Sequence, residues 1–443
     1  MTVSETIADF VTSTGYEDLP PLAIKHAKVV IASTVASAAM GRDIGSTEIF
    51  RQLAQERGGR PEASIWFDGG PNLPVMDAAR VNAIMSDAAA SDDTDLSGAG
   101  HLGTVTSTAA LAMGERCGAS GRDVLAAIVL GYDIANRIGS HTRSGEIGFH
   151  AGVNTIFGAT VAAAKVMGLA PKEMAHAISL AATSIGGNGI AANTSWVREY
   201  DACLSAELAI TAVQAAAKGF FAEVKVLEMP RGYFEVFQTQ NVEEITANLG
   251  KTWGIVNDLA VKLMPGTWAY QALAEAAWTA TKEGDLKPED VATIAVSGRR
   301  FGGHMVYHPT DLIGVAHSLP YMLAASVVDR TYSWEHASPE KYLDPVINAM
   351  QDKVIEADPS PFAARGGGSV TITTTDGRTF SSTMEAPGGS GPRGIEWSDI
   401  DYKYRTLAPL GGLSPERVDQ SLEVIHTFDE AKSVSALTDL LRP

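Results

Sequence analysis

Apolar residues recur at helical spacing through most of the first 260 positions of the chain. The repeat is clearest in four segments, 21–40, 125–132, 162–167 and 204–217. Side chains three or four positions apart share one face of a helix, so each segment predicts an amphipathic helix. Many of the apolar positions are Ala or Gly, which allows helix axes to approach closely. The pattern predicts a compact all-helical domain over residues 1–262.

Strand patterns begin after this point. Residues 291–296 alternate between apolar and polar side chains, and residues 369–375 form a β-branched run. Asp376-Gly377 follows that run directly and is a strong hairpin-turn signal before a further strand at 378–380. The pattern therefore predicts at least one antiparallel strand pair in the second half of the chain.

Helical segments lie between and after these strands, at 318–329, 342–354 and 415–441. Helices mixed with strands predict a smaller α+β domain, which we place at 263–397. We expect residues 398–443 to return to the helical domain. The expected fold class is mainly α, with a large all-helical domain and a smaller α+β domain.

Composition restricts the partners. The chain has 443 residues, which is too long for one hydrophobic core. Its net charge of −18 argues against nucleic acid and anionic membranes, because both require a basic surface. Only Cys117 and Cys203 are present, too few for a disulfide scaffold. No signal peptide is evident and no apolar run approaches the roughly 20 residues of a membrane span, so we expect a cytoplasmic protein.

Asp92, Asp93 and His101 form the first group of candidate functional residues. A carboxylate beside an imidazole fixes the tautomer and raises the basicity of the ring, so His101 is a candidate general base. Capping and turn formation are the commoner roles of such aspartates. Calcium and zinc sites need ligand spacings that are missing here, so we expect no metal.

Three further candidates lie elsewhere in the sequence. His150 follows Gly148-Phe149 at an expected helix start, where the helix dipole favours a neutral imidazole, although a buried structural histidine is commoner. Lys262 lies in an apolar segment and, if buried, could hold a carboxylate and carry a proton; most such lysines reach water instead. Tyr321 is the third candidate, although a tyrosine in such a segment is more often a core residue whose hydroxyl is hydrogen-bonded than a catalytic one.

The glycine-rich loops do not match a nucleotide site. None has the G-x-G-x-x-G spacing after a strand, and none ends in Gly-Lys-Ser/Thr. No serine nucleophile elbow occurs either. We therefore expect no cofactor.

Taken in order, these segments resemble the MmgE/PrpD family, whose members include 2-methylcitrate dehydratase, cis-aconitate decarboxylase and iminodisuccinate epimerase. The resemblance runs over most of the chain and is carried by four segments. They are Asp92-Asp93-Thr94 with His101, Gly148-Phe149-His150 with the Ala-rich helix that follows, Lys262-Leu263-Met264-Pro265, and Ala316 to Tyr321.

The resemblance implies a large helical domain with a smaller α+β lid, commonly as a homodimer, and a cofactor-free site between the domains. It also implies site roles for Asp92 or Asp93, His101, His150, Lys262 and Tyr321. Which of the two aspartates matches the family position stays open.

Arg198 is the main departure from the family pattern. Family dehydratases and decarboxylases typically have a lysine in a Thr-Lys-x-x-x-Gly segment where this chain has Arg198. An arginine stays protonated near neutral pH, so Arg198 could bind a carboxylate but could not act as an acid or base. Asp95 also stands where the family often has a histidine.

The three family chemistries all build charge on a carbon beside a carboxylate of a small anionic polycarboxylate. A dehydratase must then protonate a hydroxyl and a decarboxylase must release CO₂, whereas an epimerase needs only a second acid. Loss of a proton-carrying lysine affects the first two more, so we expect an epimerase of the iminodisuccinate type. The alternatives are a 2-methylcitrate dehydratase-like or cis-aconitate decarboxylase-like lyase, and a non-catalytic binding protein with the same fold.

Overall fold

The computed structural model describes residues 1–298 and 305–443. The chain folds as two compact units. The first unit comprises Met1–Leu259 and Trp397–Pro443, and the second comprises Ala260–Glu396.

The first unit is built mainly from helices. In chain order they are α1 Val3–Ser13, α2 Pro21–Gly41, α3 Gly45–Arg57, α4 Val75–Ala88, α5 Leu102–Cys117, α6 Gly121–His141, α7 Thr155–Met167, α8 Pro171–Ala182, α9 Gly189–Thr194, α10 Val197–Ala217, α11 Tyr233–Val236, α12 Val242–Thr246 and α13 Gly254–Asn257, followed after the second unit by α19 Trp397–Leu407, α20 Pro415–His426 and α21 Ser435–Thr438. The four helices predicted in this part of the chain are confirmed, since each predicted segment lies within α2, α6, α7 or α10.

The prediction of an all-helical first domain is wrong at one point. A three-residue strand, β1 (Asp93–Asp95), interrupts the helices just before α5. A second short strand, β2 (Leu259–Val261), lies at the border of the two units. The apolar spacing in the flanking helices gave no signal for β1, because its three residues are all polar.

The C-terminal helix predicted at 415–441 is broken. α20 ends at His426, and α21 begins only at Ser435. Between them the carbonyl of Ala431 accepts a hydrogen bond from Gly121 N at 2.9 Å, at the start of α6. A Cβ on Gly121 would lie 1.6 Å from the carbonyl oxygen of Phe428. Docking of this backbone against α6 therefore replaces helical hydrogen bonds.

Helix α2 corrects the expectation about apolar runs. It is 21 residues long, and its most apolar window has a mean hydropathy of 1.3, so by length and composition alone it could cross a membrane. In the structure 78% of that window is buried. Core helices of folded domains give the same pattern.

In its described ranges, 260–298 and 305–396, the second unit contains a four-stranded sheet and five α-helices. The strands are β3 Val291–Ser297, β4 Val354–Glu356, β5 Gly368–Thr374 and β6 Thr379–Met384, and the helices are α14 Trp268–Glu283, α15 Leu312–Ala316, α16 Leu319–Val328, α17 Pro339–Tyr342 and α18 Pro345–Gln351. The strand order is β4-β3-β5-β6, with β3 parallel to β4 and antiparallel to β5. The predicted hairpin at Asp376-Gly377 is confirmed as the connection between β5 and β6.

The core of the second unit forms on one face of this sheet. Ile294 and Val296 of β3 pair with Ile372 and Val370 of β5, and all four are buried. Helices α14 and α16 contribute Leu273 and Leu323, among others, to the same cluster.

The helix predicted at 342–354 is wrong in part. α17 ends at Tyr342, and α18 starts at Pro345 with Asp344 as its N-cap. Proline lacks an N–H and disfavours helical geometry in the residue before it, so it begins a new helix rather than continuing one. Val354 then belongs to β4.

Close contact between α6 and α7 confirms the role expected of small residues. A Cβ added to Gly131 of α6 would lie 2.5 Å from the carbonyl oxygen of Gly158 in α7 and 2.8 Å from Cγ2 of Thr106 in α5. Three helices thus converge where only glycine fits.

We predict that Gly131→Ala lowers the free energy of unfolding by about 1–3 kcal/mol or more, the usual cost of overpacking a core. Chemical denaturation measures this directly. Gly145→Ala is the control, because a Cβ there meets no atom within 4 Å and its φ is not positive. Equal stability of the two variants would contradict the packing argument.

Candidate active site

Asp93 holds the start of α5. Its carboxylate oxygens accept hydrogen bonds from the backbone N–H groups of Gly103 at 2.8 Å and Thr104 at 2.9 Å. A Cβ on Gly103 would lie 2.8 Å from the Asp93 carboxylate, so glycine is needed for this approach. Asp93 therefore has the capping role that is common for such aspartates.

Asp92 instead contacts the imidazole of His101. Its Oδ2 lies 3.0 Å from Nδ1 of His101, and the same nitrogen is 2.7 Å from the backbone carbonyl of Asp93. A carbonyl oxygen can only accept, so Nδ1 carries the hydrogen and Nε2 is left for proton exchange. In the structure Asp92 therefore contacts the histidine and Asp93 caps the helix, while the choice of the aspartate that matches the family position stays open.

His150 lies beside His101. It is the N-cap of a short 3-10 helix, Ala151–Asn154, that leads into α7, and its Nδ1 accepts a hydrogen bond from Gly152 N at 3.3 Å. The two imidazole rings are nearly parallel, with centroids 6.5 Å apart. The histidines predicted from separate segments are therefore brought together.

Arg198 lies in the first turn of α10 and is largely buried. Its Nε is 3.3 Å from Oδ2 of Asp87, and its Nη2 donates to the backbone carbonyl of Asp87 at 2.7 Å. Burial alone would lower the pKa of Arg198, but nearby carboxylates, chiefly that of Asp87, outweigh it and raise the pKa. The side chain stays charged and retains Nη1, which makes no hydrogen bond to any described residue.

His101, His150 and Arg198 line one small cavity within the first unit. Its lining residues are Asp87, His101, Val105, His150, Gly152, Thr155, Arg198, Asp201 and Ala202. A guanidinium and two imidazoles on one cavity suit an anionic ligand that exchanges protons.

Sequence reasoning missed Asp87 and Asp201. Asp87 lies within the run Met85-Ser86-Asp87-Ala88-Ala89-Ala90, and a lone carboxylate in such an apolar helix end is a signal in itself. Asp201 follows Arg198 by three positions on a helix, so the two share a face. Both aspartates are almost completely buried.

Burial shifts several carboxyls of this region toward neutral pH. Burial first, and then the charge of Asp92, raises the pKa of Asp93 to about 6. Burial also raises the pKa of Asp95 and of Asp201 to about 7, with smaller contributions from Asp258 and Asp87 respectively. Near neutral pH these groups are therefore only partly ionised, which limits the negative charge around the cavity.

The cluster of Asp87, Asp92 and His101 is poorly suited to binding a metal ion. Ligand atoms of Asp87, Asp92 and His101 lie within 4.8 Å of one another. However, Arg198 already contacts Asp87, and Nδ1 of His101 is held by two oxygen acceptors. A cation would have to displace these contacts beside a permanent positive charge.

A second cavity in the first unit is larger, but the carboxylates in its lining disfavour an anion. Its lining includes Asp133, Asp258 and Glu244. Arg137, also in the lining, is occupied by Asp133 at 2.7 Å and by backbone carbonyls. We therefore assign the candidate site to the cavity between the histidines.

Lys262 and Tyr321 lie in the second unit. Lys262 directly follows β2 and is 3% exposed, so it does not simply extend into water. Tyr321 is completely buried in the core of its unit, and its hydroxyl donates to the carbonyl of His336 at 2.7 Å. Burial raises the pKa of Tyr321 well above its usual value. These contacts are those of a core aromatic residue.

A comparison against protein families matches both parts of the chain. The MmgE/PrpD N-terminal domain matches residues 5–245, and the MmgE/PrpD C-terminal domain matches residues 265–429. The chain belongs to the MmgE/PrpD family. The resemblance found in the sequence is thus confirmed at the family level.

Similar curated proteins of the family are cis-aconitate decarboxylases. The chain is 24% identical to the cis-aconitate decarboxylase-like protein oryM of Aspergillus oryzae, over 99% of this chain and 97% of the relative. It is 24% identical to a cis-aconitate decarboxylase of Aspergillus terreus, over 99% and 96% of the two chains. The human cis-aconitate decarboxylase is 21% identical over 99% and 94%. These names favour a lyase over the expected epimerase.

The raised pKa of Asp95 generates a stability prediction. The folded pKa lies near 7 and the unfolded value near 3.8, so the folded state binds the proton more tightly. Stability from this group is fully present below about pH 4 and is lost as pH rises to 7. Asp95→Asn removes the titration, so the stability of the wild type relative to the variant should fall from pH 4 to pH 8.

Chemical denaturation of both proteins across this range measures the difference. Glu17→Gln, at an exposed carboxyl of the first unit, is the control and should show no such trend. A difference between wild type and Asp95→Asn that stays constant with pH would contradict the assignment.

Proposed function

We propose that this protein is a cofactor-independent lyase that decarboxylates a cis-aconitate-like unsaturated polycarboxylate. The observation that carries the proposal is His101, whose Nδ1 is held by Asp92 and by the Asp93 carbonyl, on the same cavity as Arg198. The names of the similar proteins supply the substrate class and the reaction type.

The reaction asks the site for two things. When CO₂ leaves, its bonding electrons stay on the substrate and spread toward a neighbouring carboxylate, so negative charge must be stabilised by fixed cations. A proton must then be delivered to carbon. Arg198 meets the first need through its permanent charge. Imidazolium Nε2–H of His101 meets the second, since Asp92 stabilises the charged ring.

His150 completes the proposal. It lies beside His101 on the same cavity and acts as a second proton carrier or as a donor to a substrate carboxylate. Lys262 belongs to the second unit and takes no part in the proposed steps. Tyr321 is assigned to the core rather than to proton transfer, because its hydroxyl is buried and bonded to a backbone carbonyl.

An epimerase remains a second candidate because of two specific observations. Arg198 cannot give up a proton, and it stands where family lyases typically have a lysine. Two parallel imidazoles with centroids 6.5 Å apart are suited to removing a proton on one side of a carbon and returning it on the other. This reaction would use the same cavity without loss of CO₂.

Proton NMR in deuterated water separates these candidates. With cis-aconitate we expect substrate signals to be replaced by those of a CO₂-free product containing one deuterium from solvent. Exchange of hydrogen at a carbon beside a carboxylate, with all carbons retained, would favour the epimerase. No change with any di- or tricarboxylic acid tested would contradict both and favour a binding protein.

Asp92→Asn should lower kcat by about 10²–10⁴-fold, the range for general acid–base catalysis, because the imidazolium of His101 loses its compensating charge. Steady-state kinetics measure the effect. Glu115→Gln is the control: it changes a partly buried carboxyl of the first unit, bonded to Ser64 and Thr438, away from the cavity lining. Equal activity of both variants would remove Asp92 from the mechanism.

A further inference from the structure

Asp201 is a buried carboxyl that the proposed reaction does not use. It lies on α10, one turn after Arg198, and is 3% exposed. Its Oδ2 is buried and has no hydrogen-bond partner among the described residues, and the residue lines the candidate cavity. A buried carboxylate without a donor is costly, so this group needs either a proton or a positively charged partner.

His150 is the titratable side chain placed to supply that partner. Oδ2 of Asp201 lies 3.7 Å from Nδ1 of His150, which is within ion-pair range but longer than a hydrogen bond. Gly187 lies next to both residues: its carbonyl accepts a hydrogen bond from the backbone N–H of His150 at 3.2 Å. A Cβ on Gly187, which has a φ of +125°, would lie 2.7 Å from the Asp201 carboxylate.

Among the residues that the structure describes, the other charged groups around Asp201 do not neutralise it. Arg198, on the same helix, directs its Nε and Nη2 to Asp87. Glu199 accepts from Ser46, and His101 is held by Asp92, as described above. Burial first, and then the charge of Asp87 at the end of α4, raises the pKa of Asp201 to about 7.

We propose that Asp201 and His150 share one proton and that Asp201 is a positioning residue, setting which nitrogen of His150 carries hydrogen. In one arrangement the proton is on the Asp201 carboxyl, and the neutral ring carries its hydrogen on Nε2 while Nδ1 accepts from Gly152 N. In the other the proton has moved from oxygen to Nδ1, which gives up the bond from Gly152 N, and a carboxylate and an imidazolium form an ion pair. The pair is neutral overall in both arrangements.

The consequence for turnover rests on the proposed function. Nε2 of His150 bears a hydrogen in both arrangements, so the ring can donate to an anionic substrate above the pH at which a lone imidazolium would be lost. The neutral pair also adds no net negative charge to a cavity that must accept a polyanion. Loss of the pair's proton at higher pH leaves a carboxylate and makes the cavity more negative.

Histidine NMR on the intact protein tests the pairing without any substrate. In ¹⁵N-histidine-labelled protein, His150 is assigned by the signal lost in His150→Gln and is titrated from pH 5 to 9. We expect the final deprotonation step of the wild type to fall by one pH unit or more in Asp201→Asn, since the imidazolium loses its partner. Glu199→Gln, a buried carboxyl two positions away, should leave the His150 titration unchanged.

A measurement on the wild type covers the case in which Asp201→Asn does not fold. In ¹³C-aspartate-labelled protein, the Asp201 carboxyl should titrate with the same midpoint as His150, because one proton is shared. Independent midpoints, or an unchanged His150 titration in Asp201→Asn, would overturn the proposal.

Activity then tests the consequence separately. The alkaline limb of kcat/KM against pH should move down in Asp201→Asn and return in Asp201→Glu. A changed His150 titration with an unmoved pH profile would overturn the positioning role. Complete absence of turnover in the wild type would defeat the proposed function while the NMR result still decides the pairing.

Discussion

The candidate site depends on the bend at Asp92 and the short strand β1, which place two adjacent aspartates next to the start of α5. One aspartate, Asp93, accepts two backbone N–H groups and fixes the helix end, at a position where Gly103 leaves room for its carboxylate. This anchoring turns the other, Asp92, toward His101. The backbone carbonyl of Asp93 also accepts a hydrogen bond from Nδ1 of His101. The same local structure therefore caps the helix and fixes the imidazole tautomer.

Charge balance at the cavity supports the proposed binding of a polyanion by an acidic protein. The chain carries −18 overall, yet the cavity brings the permanent charge of Arg198 together with two imidazoles. The negative charge of the carboxyls in and around the cavity is reduced in different ways. Asp87 is paired with Arg198, Asp92 faces His101, and burial raises the pKa of Asp201 to about 7. Local neutralisation of this kind matters more than net charge, because short-range interactions in a buried site are poorly screened.

Helical periodicity predicted the bundle well because core-facing positions repeat along α2, α6, α7 and α10. The same periodicity did not predict β1, because its three polar residues contain no apolar repeat. It also predicted one continuous helix across Pro345, where the structure has an N-cap and a new helix. Motifs predicted His101, His150 and Arg198 on one site, since those segments resemble a known family. Asp87 and Asp201 were not predicted as site residues, because their place in the cavity depends on which helices pack together. Local sequence patterns do not show that packing. The epimerase expectation rested on one substitution, Arg198, and the similar proteins favour a lyase instead.

Binding of a tricarboxylate to wild-type protein, followed by ¹⁵N NMR of its histidines, tests the central claim most directly. The account predicts that His101 in the free protein carries hydrogen on Nδ1 and that saturation with cis-aconitate shifts its Nε2 signal. The signals of His26, which is buried and bonded to the carbonyl of Ile255, should stay unchanged. A His101 signal that does not respond at saturation, or that shows hydrogen on Nε2 alone, would contradict the assignment of this cavity as the active site.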